Sequence, residues 1–144
     1  MSRRTFAIGL AACGFIVSAY LAAYQLHLIG SVWDPVFGTA SSHAVLHSVI
    51  DRILPIPDAV FGVGAYLAEV ALGWISLRHH ANKTEIVYAA LALGMALVSA
   101  GLVIVQAFVV HHACALCLLS ALISWTVAAL IVRPAAFRAA ALGV

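Results

Sequence analysis

The stretch "VVHHACALCLLSALISW", residues 109–125, decides the organisation of the chain. His111 and His112 interrupt one long apolar run, and Cys114 and Cys117 open the next. A break this short between two such runs reads as a tight turn at a membrane face, with the CxxC at the head of a spanning helix. Working outward, four apolar segments are long enough to cross a bilayer: about residues 5–28, 59–77, 86–110 and 114–132. Each approaches or exceeds the ~20 residues that cover ~30 Å of hydrocarbon. Lipid offers no partners to backbone N–H and C=O groups, so the segments must be helices.

Composition agrees. Hydrophobic residues make up 65% of the 144 residues, charged residues only 8%, and mean hydropathy is +1.13. Soluble domains carry about 25% charge, so the solvent for most of this chain is lipid. A net charge of +2 says nothing about nucleic acid, and no basic run is long enough to bind it, so no nucleic-acid partner is expected. Gly62, Gly64, Ala65 and Ala68, then Gly94, Ala96, Ala100 and Gly101, let helix backbones approach closely. The expected fold is an all-α membrane protein, a single domain over residues 1–144, built as a four-transmembrane-helix bundle.

Orientation follows from Lys and Arg. Arg3, Arg4, Arg78, Lys83, Arg133 and Arg138 fall on one side of a four-pass topology, and Arg52 on the other. Both termini are therefore expected in the cytoplasm, in a plasma (bacterial inner) membrane. The first loop, residues 29–58, and the CxxC are expected on the outer face, where disulfides persist. At the N-terminus, Arg3-Arg4 with Phe6 looks like an export signal, and "LAAC", residues 10–13, like a lipoprotein cleavage box. The apolar run continues past Cys13 and the stretch before it is short, so a retained first helix is expected, with Cys13 as a small buried residue within it.

The outer loop holds "SSHAVLHSVIDRIL", residues 41–54, whose Val45, Leu46, Val49, Ile50, Ile53 and Leu54 recur at helical spacing. This predicts a short amphipathic surface helix lying as a lid, capped by Ser41 or Ser42. Pro55 and Pro57 end it, and Asp58 is expected to cap the second spanning helix.

Residues three apart on a helix share a face. At a helix N-terminus free N–H groups and the macrodipole favour a thiolate, the nucleophile in disulfide exchange. The pair can equally be half of a metal site or two small core residues. The more exposed position suggested for Cys114 suits a partner, and the deeper Cys117 suits a group dissolved in the membrane.

"VLHS", "LPIPDAVFGVGAYL" and a helix-opening "CALC" together resemble the vitamin K epoxide reductase family over about residues 30–124. That resemblance implies a four-helix core and a quinone-linked thiol oxidoreductase, its pocket roofed by the first loop. Cys117 would meet the membrane quinone, and Cys114 would exchange with the dithiol of a thioredoxin-like partner. Ser48 resembles the family's loop serine, and Asp58 lies near a polar position lining the pocket. Gln106 either lines that pocket or bonds another helix. Reduction of a quinone consumes two protons, and His111, His112, His43 and His47 are candidate donors. The chain departs from the family in its loop cysteines: Ser42 stands where the second belongs, and the first would fall near Asp34. Either a partner thiol then reaches Cys114 directly, or the chain is a degenerate member serving as a subunit of a larger membrane complex.

A rival is metal or haem. His27, His43, His47, His111 and His112 are expected near the outer face with both cysteines, and Zn can take two of each. Histidines at that level are commonly plain polar residues, so no metal ligand is assigned. Glu69, a charge within a helix centre, is either a hydrogen-bonded packing residue or part of a proton path.

Overall fold

The computed structural model describes residues 2–47, 56–79 and 82–141. Its elements are all helical: α1 (Arg3–Gln25), α2 (Thr39–Leu46), α3 (Asp58–Arg78), α4 (Asn82–Val105) running into a π-helical turn (Gln106–Val110), and α5 (Ala115–Ala141). Four of them carry spans apolar and long enough to cross a membrane: Arg3–Gln25, Asp58–Arg78, Lys83–Val110 and Ala115–Arg133. Large apolar side chains such as Ile16, Leu67, Leu97, Phe108 and Leu122 are exposed around the outside. That is the inverse of a soluble surface; the chain is a multi-pass membrane protein.

The helices close into a ring in which α1 packs on α3 and α5, and α4 packs on α3 and α5. The α1 seam explains how closely they approach. Its buried residues are Ala7, Ala11, Gly14, Ser18, Leu21, Ala22, Tyr24 and Gln25, and those from Ala7 to Ser18 are small and three or four apart. Gly14 is the tightest point: a Cβ there would meet the ring of Tyr66 on α3. That ring is pinned, because its hydroxyl donates to the Ser120 carbonyl at 2.7 Å. Gly14→Ala is therefore expected to cost about 1–3 kcal/mol by overpacking, read as a lower melting temperature in detergent. Combined with Tyr66→Val, the two costs should fall well short of their sum.

At one end, Ser2 caps α1 by accepting from the Thr5 N–H at 3.2 Å. Beside it Arg4 pairs with Glu85 at 2.5 Å and donates to Ser76. At the other end, Gln25 joins three elements. Its Nε2 donates to the Leu46 carbonyl at 3.0 Å and to Asp58 Oδ1 at 2.6 Å, and its Oε1 accepts from the Ala59 N–H at 3.2 Å.

Several sequence expectations are corrected. The N-cap of α2 is Gly38, at φ 82, and no side chain caps it; Ser41 and Ser42 lie inside the helix and bond elsewhere. Residues 48–55, which complete the expected lid and include Ser48, lie outside the described residues. Asp58 is the first residue of α3 rather than its cap, which is Pro57. Cys13 is exposed on the outside of α1 rather than buried, because Ala11 and Gly14 take the seam positions beside it.

Candidate functional site

Cys114 immediately precedes α5 and so occupies its N-cap position. Its sulfur accepts from the Cys117 backbone N–H at 3.3 Å, in the way a capping serine oxygen would. The Cys117 thiol donates to the same sulfur, with the two sulfurs 2.6 Å apart. A small approach brings them to the ~2.05 Å of a disulfide. That thiol hydrogen bond holds the Cys114 thiol below its ordinary range, against burial, which pushes it up. The backbone N–H and the Ser42 hydroxyl help, while the charge of Asp34 opposes.

The outer loop is fastened over this N-terminus by Asp34. Its Oδ1 accepts from the Val36 and Phe37 N–H groups, both at 2.9 Å, closing a turn across Asp34-Pro35. Its Oδ2 accepts from the Ser42 hydroxyl at 2.5 Å and from the Ala115 N–H, the first of α5, at 2.9 Å. Ser41 adds a second tie, donating to the Ala113 carbonyl at 2.7 Å. Sequence reasoning placed the missing loop cysteines at Ser42 and near Asp34. The structure puts a hydrogen-bonded pair there and joins it to the CxxC helix.

This clasp reverses the expected order of exposure. Cys114 is 0% exposed, packed among Leu21, Tyr24, Val32 and Leu46, whereas Cys117 is half-buried and opens into a cavity. The cause is the loop, which Asp34 pulls down over the N-cap position.

Burial would raise the Asp34 carboxyl, but the hydrogen bonds from Ser42, Phe37, Ala115 and Val36 outweigh it and hold the group down at about 2. A depressed carboxyl stabilises the fold above its unfolded value, near ~4, and that contribution is lost as pH falls through about 2. Trp33 fluorescence should therefore report loosening of the loop in this acid window, and Asp34→Asn should lack the transition.

The cavity measures about 500 Å³. Cys117, Ser120 and Ser124 of α5 line one side, Asp58 and Tyr66 of α3 another, and Gln106 and Leu102 a third, beneath Val45 and Leu46 of α2. Phe61 and Val98 also line it and are exposed on the outside of the bundle, so it opens sideways between α3 and α4. Its volume lies in the usual range for small-molecule sites. Gln106 opens the π-helical turn, a feature frequent at functional sites, and its Oε1 accepts from the Cys114 N–H at 3.4 Å.

Of the residues singled out from sequence, Cys117, Asp58 and Gln106 meet at this cavity, with Cys114 just behind. His111 and His112 do not reach it. His111 is left-handed, with φ 55, which turns the chain out of the π turn, and both side chains are exposed. His43 and His47 gather with His27 and Tyr24 in a ring cluster, His43 and His47 at 4.7 Å and His27 stacked on His47 at 5.9 Å. Among the described residues, no group of three His, Cys, Asp or Glu side chains is arranged to hold a metal ion. Sequence reasoning missed Tyr66, whose signal was its place on the same α3 face as Gly62 and Glu69. It also missed the role of Asp34, marking it only as the place near which an absent loop cysteine would fall.

The fold and the site define a four-helix membrane bundle with a CxxC at the wall of an apolar cavity. The chain belongs to the Vitamin K epoxide reductase family, whose model matches residues 5–132. A search of curated proteins returned no match. The family assignment brings with it a membrane thiol oxidoreductase type of function.

Proposed function

We propose that the protein is a quinone-linked thiol oxidoreductase, taking electrons from a partner's dithiol through Cys114 and Cys117 and passing them to a membrane quinone. The observation that carries this reading is the Cys117 thiol at the wall of an apolar, laterally open cavity, donating a hydrogen bond to the Cys114 sulfur at 2.6 Å. A quinone bound there supplies a two-electron, two-proton acceptor. Cavity size, apolar walls and the side opening suit a ring delivered from the bilayer, and Tyr66, Ser124 and Gln106 offer polar atoms to orient its oxygens.

The rest is the work of the chain's own residues. A partner thiolate attacks the Cys114 sulfur of the oxidised pair, a mixed disulfide forms, and Cys117 leaves as the thiolate. The partner's second thiolate then attacks its own sulfur in the mixed disulfide, releasing the Cys114–Cys117 dithiol. Two electrons and two protons leave this dithiol as it is reoxidised, and Cys117 is the sulfur facing the acceptor. The partner is a soluble thioredoxin-like protein on the CxxC side, and the positive-inside reading makes that the outer face of a bacterial inner membrane. The test is dithiol-dependent quinol formation by the purified protein in bilayers. Its absence would sink the proposal.

The burial of Cys114 beneath the Asp34–Ser42 clasp favours a second reading, a catalytically silent member built into a larger membrane complex. In that case the protein extracted in mild detergent migrates with stoichiometric partner subunits and forms no quinol. Migration alone, with turnover, removes that reading.

A further inference from the structure

Between the cavity and the opposite end of the bundle runs a buried column of polar groups, and the dithiol chemistry uses only its cavity end. The buried residues of α3 are Tyr66, Glu69, Gly73 and Ser76, which stack on one face of the helix over about 15 Å. At the cavity end, the Tyr66 hydroxyl is bonded to the Ser120 and Ser124 hydroxyls at 3.0 and 2.8 Å. At the far end, Arg4 donates to the Ser76 hydroxyl at 2.7 Å and pairs with Glu85. Glu69 and Tyr88 stand between. They are 0% and 1% exposed, and among the described residues neither the Glu69 oxygens nor the Tyr88 hydroxyl has a hydrogen-bond partner. Glu69 lies within electrostatic range of both the Tyr66 and Tyr88 hydroxyls, and Arg4 within range of Tyr88. A Cβ on Gly73 would sit 3.3 Å from the Tyr88 hydroxyl, which sets that group against α3 one turn from Glu69.

A carboxyl buried in a spanning helix without a partner is costly to keep for packing alone. A lone charge there is costlier still. Buried water needs two to four polar partners, and Glu69, Tyr88, Ser76 and Tyr66 supply them along the column.

We propose that Glu69, with Tyr88 and Tyr66, carries protons from the Arg4–Glu85 end of the bundle to the cavity. The inference rests on the quinone reading above. Oxidation of the partner dithiol releases two electrons and two protons on the CxxC face. Reduction in the cavity takes up two electrons and two protons. With uptake through Glu69, the protons consumed come from the opposite face, and each turnover moves charge across the membrane. Glu69 gives its proton towards the Tyr66 hydroxyl and is reloaded past Tyr88.

The test uses the full chain in vesicles with a pH dye inside, a short-chain benzoquinone in the bilayer, and reduced thioredoxin added outside, so that only molecules with the CxxC outward turn over. The expected result is internal alkalinisation at about one proton per electron, the ratio of the two-electron, two-proton step. In Glu69→Gln, quinol formation should fall about 100-fold and the alkalinisation should vanish. Glu69→Asp should recover part of both, and Tyr88→Phe, which keeps the ring, should lower both. Independently of turnover, infrared spectra of the protein without quinone should contain a carboxylic C=O band that shifts in D2O and is missing from Glu69→Gln. Parental rates and alkalinisation in both Glu69→Gln and Tyr88→Phe would overturn the proton path. So would quinol formation by the parent at constant internal pH, or absence of the infrared band, and each of these leaves the quinone reading standing. A parent that makes no quinol overturns both.

Discussion

In Cys117→Ala, quinol formation is expected to fall by about a thousand-fold or more, the scale of removing a reacting nucleophile, while Cys114 stays able to form a mixed disulfide. The two cysteines are not equivalent. Cys117 borders the cavity, and Cys114 sits behind it at the N-cap of α5. Offered a partner whose second cysteine is replaced and whose first carries a thionitrobenzoate disulfide, Cys114 displaces the thionitrobenzoate, and with neither Cys117 nor a second partner thiol to resolve it the adduct persists on a non-reducing gel. Cys114→Ala should form no such adduct. The N–H of residue 117 remains in the alanine variant, so Cys114 keeps that capping bond. It loses the thiol hydrogen bond, the largest influence lowering it. Its thiolate should then appear at higher pH than in the parent, which the pH profile of labelling by a small methanethiosulfonate reports. Parental quinol formation in Cys117→Ala would overturn the assignment of this cysteine.

The parts of the structure legible in the sequence were those fixed by solvent and by short-range geometry. Apolar length gave the four spans, because a bilayer imposes a thickness and forbids unpaired backbone. CxxC spacing put two sulfurs on one turn, and they are found 2.6 Å apart. What pattern did not reveal came from contacts between segments distant in sequence. Asp34 reads locally as the start of a turn, and its bond to the Ala115 N–H crosses 81 residues. For the same reason the burial order of Cys114 and Cys117 was misjudged: depth along the helix ignores a loop folded over its end. His111 and His112 drew interest by adjacency to the CxxC, yet a single left-handed residue turns them away from the cavity. Glu69 was visible as a charge in an apolar run. Its lack of a partner among the described residues, and Tyr88 as its neighbour from α4, needed the assembled bundle.

Asp34→Ala is expected to be the most destabilising change to the loop over the CxxC. One carboxylate there accepts four hydrogen bonds, and it is 7% exposed. Bonds to a charged acceptor contribute about 1.5–3 kcal/mol each, and they are not additive within one network. Alanine also strands the Ser42 hydroxyl and the first N–H of α5 in a buried place. A loss of about 3 kcal/mol is therefore expected. It should fall on local opening of the loop, because the spanning helices pack independently of it. A cost of that size raises the open population about 100-fold, since 1.4 kcal/mol is tenfold in an equilibrium constant. Cys114, covered in the closed form, should be labelled faster by a comparable factor, while melting of the bundle in detergent changes little. Asp34→Asn should fall between, because its amide oxygen still accepts from Val36 and Phe37 but its NH2 faces the Ala115 N–H. If the loop is what a partner thiol must displace, Asp34→Ala should also speed the first exchange with a dithiol and weaken discrimination among dithiols. Unchanged labelling of Cys114 would mean that the clasp does not control access, and that a partner reaches the sulfur by another route.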